Sequence, residues 1–128
     1  MSGSVVHFEI PADDVVRAQA FYRDAFDWTI TAMPDMDYAI VGTTPSDENG
    51  MPIQPGAING GMMQRQAPTT APTIVIDVAD IDTALQRIEE LGGKTEIPKQ
   101  PVGGMGFAAY FTDPEGNVMG LWETAPQP

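Results

Sequence analysis

The stretch Val5-Val6-His7-Phe8-Glu9-Ile10 decides how this chain folds, because its pattern returns once, 66 residues further along (73 − 7). Polar and apolar residues alternate after Val5, which predicts a half-buried strand. Asp14 then offers an N-cap, and apolar residues at spacings of three and four from Val15 to Phe26 predict an amphipathic helix. The second copy begins with the strand Thr73-Ile-Val-Ile-Asp-Val, and Asp80 is the cap of its helix.

Three further strands are predicted after the helix in each copy. They are Trp28–Thr31, Tyr38–Val41 and Ala57–Met63 in the first copy, and Lys94–Ile97, Phe107–Thr112 and Asn117–Glu123 in the second. The first two are joined through Pro34–Asp37, and an offset of 60 places Gly60 on Gly120. We therefore expect one domain of two βαβββ modules, about 4–64 and 73–124, with a connector at 65–72. Because the helix of each module covers only one sheet face, the modules should pair around a cavity.

Composition excludes several kinds of partner. The 128 residues carry 6 Lys and Arg against 18 Asp and Glu, a net charge of −12, which argues against nucleic acid and anionic membranes. With no cysteine, disulfides and thiolate chemistry are excluded. No apolar run approaches the ~20 residues of a membrane span, and Met1–Val5 lacks the basic and apolar regions of a secretion signal. We expect a cytoplasmic protein.

Three features in this order carry a family resemblance: His7 in the opening strand, Phe21-Tyr22 in the first helix, and the turn Asp113-Pro114-Glu115-Gly116-Asn117 before the closing strand. From Val5 to Glu123 the chain resembles the vicinal oxygen chelate superfamily of glyoxalase I, bleomycin-resistance proteins, extradiol dioxygenases and fosfomycin-resistance enzymes. The resemblance implies an α+β fold in which the two modules form one incomplete, eight-stranded, barrel-like cup. We also expect a homodimer.

In metal-using members, the resemblance implies, each half gives one ligand from its first strand and one from its last. The corresponding positions here are His7, Gly60, Thr73 and Gly120. Only His7 has a side chain suited to Zn²⁺, Ni²⁺ or Fe²⁺, since glycine has no donor and a threonine hydroxyl is a poor one. We therefore expect no metal and no other cofactor, which argues against glyoxalase I and dioxygenase activity. The glycines should also leave space in the cavity.

His7 and Glu9 are the candidate catalytic residues, because strand alternation puts them on one face. If Phe8 and Ile10 pack beneath the helix, His7 and Glu9 face the cavity and form a pair suited to proton transfer. The alternative is that His7 is a remnant of the metal site without a role.

A second set of residues is predicted to line the cavity and bind a ligand. Its members are Trp122, Tyr110, Phe107, Tyr38, Met62, Thr73 and Asp77. Aromatic walls with a few polar groups are typical of small-molecule pockets. The alternatives are that the aromatic residues and Met62 pack in the core and that Glu9 and Asp77 meet water at the rim.

The leading hypothesis is a metal-independent protein that binds an unidentified small molecule, as bleomycin-resistance proteins do. The alternative is a lyase- or isomerase-type enzyme with His7 and Glu9 as acid and base. A third hypothesis is a regulatory module without a ligand.

Overall fold

The computed structural model describes residues 3–33 and 37–126, which form two compact units. The first unit is His7–Pro72, and the second comprises the residues up to Val6 together with those from Thr73 onward. The boundary after Pro72 coincides with the predicted start of the second module, whereas the first residues of β1 group with the second unit. No helix in the described part of the chain has the length and apolar character needed to cross a membrane.

Both units contain the predicted order of one helix among four strands. The elements of the first copy are β1 (Ser4–Ala12), α1 (Val15–Phe26), β2 (Thr29–Met33), β3 (Tyr38–Gly42) and β4 (Asn59–Gln64). Those of the second are β5 (Thr73–Asp77), α2 (Ile81–Glu90), β6 (Lys94–Val102), β7 (Gly106–Thr112) and β8 (Val118–Thr124). The strand order is β2-β3-β4-β1 in the first unit and β5-β8-β7-β6 in the second. In each order only the pair that joins the first strand to the last, β1/β4 or β5/β8, is parallel.

The two helices begin at the predicted caps. The Asp14 carboxylate accepts a hydrogen bond from the Arg17 amide at 3.0 Å, and the Asp80 carboxylate accepts one from the Thr83 amide at 3.3 Å. Both carboxylates thus satisfy amides that an isolated helix leaves free. The predicted connection Pro34–Asp37 lies outside the described residues except for Asp37, whose backbone is left-handed with φ of 47°.

The core of the first unit lies between α1 and the sheet. Ala39, Val41 and Met62 are its buried residues, and Phe8, Tyr22 and Trp28 pack against them. Met62 is fully buried on this helix side. The prediction that it lies in the ligand-binding wall with His7 and Glu9 is therefore wrong.

Phe107 requires the same correction in the second unit. The core there consists of Ile81, Leu85, Ala109, Phe111 and Leu121. Phe107 packs against this core from the α2 side of β7, and the Lys99 ammonium lies 4.4 Å from the centre of its ring. The ring is part of the packing beneath α2, and not of the helix-free face.

The register of β4 explains the error at Met62. Gly60 pairs with Phe8 and Gly61 with Glu9, so Gly61, and not Gly60, lies on the face of His7 and Glu9. In the second unit Gly120 pairs with Val75. Because Val75 lies 66 residues after Glu9, the position equivalent to Gly120 is Gly61, and the predicted offset of 60 is wrong by one. A slip of one residue exchanges the two faces of a strand.

The buried position of Met62 predicts a large loss of stability on truncation. We expect Met62→Ala to lower the free energy of unfolding by about 2–5 kcal/mol, because it removes apolar contacts and leaves a cavity. Met105→Ala is the control, since Met105 is 50% exposed, and it should change the value by less than about 0.5 kcal/mol. Urea denaturation measures both; equal losses would contradict the placement of Met62.

Candidate functional site

Three side chains of the first unit form a continuous hydrogen-bonded chain. His7 Nε2 lies 2.7 Å from the Tyr38 hydroxyl, and that hydroxyl donates to Glu9 Oε2 at 2.8 Å. His7 and Tyr38 are half-buried and Glu9 is buried, with 7% of its surface exposed. Phe8, between His7 and Glu9, packs in the core beneath α1. The chain of polar groups therefore lies on the helix-free face of the sheet, as alternation along β1 predicts.

The direction of these bonds assigns the tautomer of His7. A hydroxyl has one proton, and the Tyr38 hydroxyl gives its proton to the Glu9 carboxylate. The bond between His7 and Tyr38 must then be donated by the imidazole, so Nε2 carries a hydrogen. In the neutral ring the lone pair is on Nδ1, which is the atom of His7 able to accept a proton.

Burial keeps this imidazole neutral. Removal from water disfavours the charged ring and lowers the pKa of His7 below its usual 6.5, although the neighbouring Glu9 carboxylate acts in the opposite direction. Burial is the larger effect. Near neutral pH, His7 is therefore a base with an unprotonated nitrogen.

Tyr38 can reach β1 because the residue that it passes on β4 is a glycine, Gly61. β4 lies between β3, which carries Tyr38, and β1, which carries His7 and Glu9. The Tyr38 side chain crosses β4 at Gly61, where an added Cβ would fall 1.7 Å from the tyrosine hydroxyl oxygen. Real Cβ contacts are never this close, so the ring occupies the space that any other residue at Gly61 would fill. The sequence predicts open space at Gly60 and Gly120; at Gly61, which the corrected register puts in the place of Gly60, the Tyr38 side chain fills that space.

The positions that the resemblance assigns to metal ligands do not offer a suitable set of donors. In the first unit they are His7 and, with the corrected register, Gly61; in the second they are Thr73 and Gly120. Throughout residues 3–33 and 37–126, no group of three or more His, Asp or Glu side chains is placed to hold a metal ion. These residues do not fit a divalent ion of the usual kind, which prefers imidazole and carboxylate ligands.

The helix-free face of the second unit carries four of the other predicted ligand-binding residues. Asp77 pairs with Trp122, and Tyr110 pairs with Gly120. Asp77 is exposed, Thr73 is buried, and the Trp122 indole N–H donates to the Thr124 hydroxyl at 3.1 Å. A Cβ added at Gly120 would lie 3.4 Å from the Tyr110 ring, so a tyrosine packs beside a glycine here, as it does at Gly61.

Tyr38 is the residue whose role the sequence did not reveal. It was predicted only as part of an aromatic wall, since 31 residues separate it from His7. The pairing of β3 with β4, and of β4 with β1, brings the three polar groups together. The one local signal is the pair of glycines at 60 and 61, because a glycine within a strand often marks the close approach of another group.

Comparison with known proteins gives two independent results for the sequence. A family model described as "Bleomycin resistance protein-like N-terminal" matches residues 4–44, which contain β1 to β3. A glyoxylase-like domain-containing protein of Didymella fabae is 29% identical over 123 residues, which are 92% of this chain and 91% of that protein.

Solved structures are similar to this one over at least 95% of its length. A glyoxalase/bleomycin resistance protein/dioxygenase superfamily member from Vibrio splendidus 12B01 covers 96% of this chain and 99% of its own, with a TM-score of 0.60 and 16% identity. The two sequence matches and this solved structure all show similarity to the glyoxalase/bleomycin-resistance group of proteins. A methylmalonyl-CoA epimerase of Streptomyces coelicolor is similar at a TM-score of 0.65 and 15% identity, over 95% of this chain and 97% of that one. Identities this low show the fold alone, and the predicted fold class is confirmed.

The lowered pKa of His7 predicts a loss of stability in mild acid. Well above pH 6.5 the ring is neutral in both the folded and the unfolded chain, so it has no effect on the pH dependence of the free energy of unfolding. As the pH falls below 6.5, the unfolded chain binds a proton that the folded one takes up only at lower pH, so the free energy of unfolding decreases. Urea denaturation between pH 5 and 7 should show a steeper decrease for the wild type than for His7→Gln.

Since His7 is the one histidine, its ring protons give a single NMR titration curve. We expect a midpoint below 6.5, and a lower midpoint still in Glu9→Gln, which removes the carboxylate that favours the charged ring. A midpoint at or above 6.5 in the wild type would contradict the assignment.

Gly61→Ala should displace Tyr38 and break the hydrogen-bonded chain. The added methyl group overlaps the hydroxyl and its ring carbon, at 1.7 Å and 2.0 Å, and both lie within one rigid side chain. We expect a loss of about 1–3 kcal/mol in unfolding free energy and a changed His7 titration midpoint. Gly104→Ala is the control, because no atom lies within 4 Å of the place that its methyl group would take. If Gly61→Ala had an unaltered His7 titration, Tyr38 would not be held as described.

Proposed function

We propose that this protein is a lyase- or isomerase-type enzyme that transfers a proton on a small carbonyl compound, without a metal ion and with His7 as the base. The hydrogen-bonded chain from His7 through Tyr38 to Glu9 is the observation that carries the proposal. Here a neutral imidazole is combined with a hydroxyl and a buried carboxylate, as in sites built for proton transfer.

The proton transfer can be written atom by atom. His7 Nδ1 accepts a proton from a carbon next to the substrate carbonyl, and the electron pair of that C–H bond passes to the carbonyl oxygen as an enolate. The imidazolium then returns the proton, either to the other face of the same carbon or to a neighbouring atom. An imidazole whose pKa is below 6.5 is a weak base, so the C–H bond must be activated by a carbonyl group.

Tyr38 and Glu9 are positioning residues in this scheme. When His7 gains a positive charge, Nε2–H remains bound to the Tyr38 hydroxyl, and the hydroxyl remains bound to Glu9. The carboxylate favours the charged ring, which counteracts burial during the transfer. The two bonds also keep Nε2 protonated, which leaves Nδ1 as the reactive atom.

The donor set supports the metal-independent part of the proposal. A superfamily enzyme that uses a divalent ion needs several imidazole or carboxylate ligands, and the four positions here provide His7, two glycines and Thr73. In the first unit His7 Nε2 is already hydrogen-bonded to the Tyr38 hydroxyl at 2.7 Å, so this nitrogen could bind an ion only if that hydrogen bond were broken. The similar protein from Streptomyces coelicolor is an epimerase, an enzyme class that inverts one stereocentre, which agrees with proton transfer as the type of reaction.

Deuterium exchange tests this proposal without knowledge of the natural substrate. The protein is incubated in D₂O with three classes of carbon acid, namely 2-oxo acids, α-hydroxy ketones and acyl thioesters, and NMR follows the loss of the α-proton signal. We expect one class to exchange faster than in buffer. His7→Gln should reduce the acceleration by about 10²-fold or more, the usual contribution of a general base. Tyr38→Phe and Glu9→Gln should reduce it by about 10-fold.

Controls separate chemistry from binding and from metal contamination. Asp24→Asn, an exposed carboxylate on α1, is matched to Glu9→Gln and should exchange at the wild-type rate. Dialysis against a chelator should leave the rate unchanged, and stoichiometric Ni, Zn, Fe or Mn that survives it would contradict metal independence. Ligand binding without exchange in any class would instead favour the binding protein that the sequence predicts first.

A further inference from the structure

A cleft lies on the opposite side of the sheet from His7 and Glu9. Its volume is about 360 Å³, and it is formed by the end of β1, the start of α1, and Arg65 just after β4. Ile10 and Ala18 belong to its apolar floor, and Phe21 and Tyr22 are its aromatic residues. This volume lies within the range of small-molecule sites, about 300–1,000 Å³. The proton-transfer chain uses none of these residues.

Two carboxylates and two guanidinium groups line the cleft, and the two guanidinium groups differ in their hydrogen bonds. Arg65 is occupied, because its Nε binds Asp13 Oδ1 at 2.9 Å and its Nη1 donates to the Thr70 carbonyl at 2.6 Å. Asp14 caps α1 through the Arg17 amide. Among the residues that the structure describes, no hydrogen bond or ion pair is made by the Arg17 guanidinium. This chain has only 6 Lys and Arg, and two of them line the cleft.

An exposed aromatic residue, Phe21, also lines the cleft, one helical turn after Arg17. Phe21 follows Arg17 by four residues on α1, so both side chains lie on one face of the helix. Phe21 is 60% exposed, and its ring meets Tyr22 edge to face, with the centroids 5.0 Å apart at 87°. Tyr22 is held in turn by stacking on Trp28 at 5.0 Å and 6°. A ligand ring placed against Phe21 would remove apolar surface from water and stack on a ring that is already oriented.

We propose that this cleft binds a small monocarboxylate with one aromatic ring, its carboxylate on Arg17 and its ring against Phe21. A guanidinium donates two parallel hydrogen bonds to a carboxylate, which fits this anion better than a point charge would. A dianion such as a phosphate ester is disfavoured, because Asp13 and Asp14 also line the cleft and repel additional negative charge. The site is separate from the one proposed for proton transfer, and neither depends on the other.

The probe is 3-phenylpropionate, and its neutral amide is the matched ligand without the charge. Titration of ¹⁵N-labelled wild-type protein should shift the amide resonances of residues 10, 12–22 and 65, with a Kd of about 1 mM, a value expected for so small a ligand. The amide should bind at least about 10-fold more weakly, since it loses the charged hydrogen bonds. No shifts in these resonances up to about 20 mM probe, or equal affinity for the amide, would overturn the proposal.

Two variants locate the contacts and a third is the control. Arg17→Met keeps the alkyl chain and should weaken the probe about 10-fold, and Phe21→Ala should do the same. Arg23→Met changes the net charge by the same amount from the last turn of the same helix, outside the cleft, and should leave the Kd unchanged. Thermal unfolding verifies that each variant is folded, as expected for exposed positions. Equal weakening by Arg17→Met and Arg23→Met would show a general charge effect and would overturn the site.

Discussion

The single proton of the Tyr38 hydroxyl determines which nitrogen of His7 carries a hydrogen. Because it is donated to Glu9, the imidazole must donate to Tyr38, and the basic nitrogen of His7 is assigned without any reference to a ligand. Three strands have to be in register for this arrangement, with Tyr38 on β3, Gly61 on β4, and His7 and Glu9 on β1. The site is thus a property of the sheet and not of a loop, which favours a fixed geometry.

The sequence was informative wherever one residue type or one period carried the signal. Alternation along β1 placed Phe8 beneath the helix and His7 on the other face, and Asp14 and Asp80 marked both helix starts. The predicted register of β4 was wrong, because Gly60 and Gly61 carry no side chains to indicate which face of the strand is apolar. An error of one residue in that strand moved Met62 from the core into the predicted wall. The prediction for Phe107 was wrong for a related reason, since an aromatic ring is equally suited to a pocket and to a core.

Gly61 and Gly120, in the last strand of each copy, have a structural role that the family resemblance does not imply. The resemblance implies a metal ligand at each of these positions, so a glycine there first suggests a vacant space. Instead, the Tyr38 ring lies over Gly61, and the Tyr110 ring packs beside Gly120. An aromatic ring therefore lies at each of the two positions where the resemblance implies a metal ligand. In the first unit that ring also brings the Tyr38 hydroxyl to His7 and Glu9.

The adjacent residues Phe21 and Tyr22 serve separate purposes. Tyr22 stacks on Trp28 and completes the core, whereas Phe21 remains largely in water. A position that the core does not require tolerates substitution at little cost in stability. A substitution at position 21 can therefore change the shape of the cleft while the fold stays intact. The ligand preference of the cleft can then change during evolution by mutation of one residue.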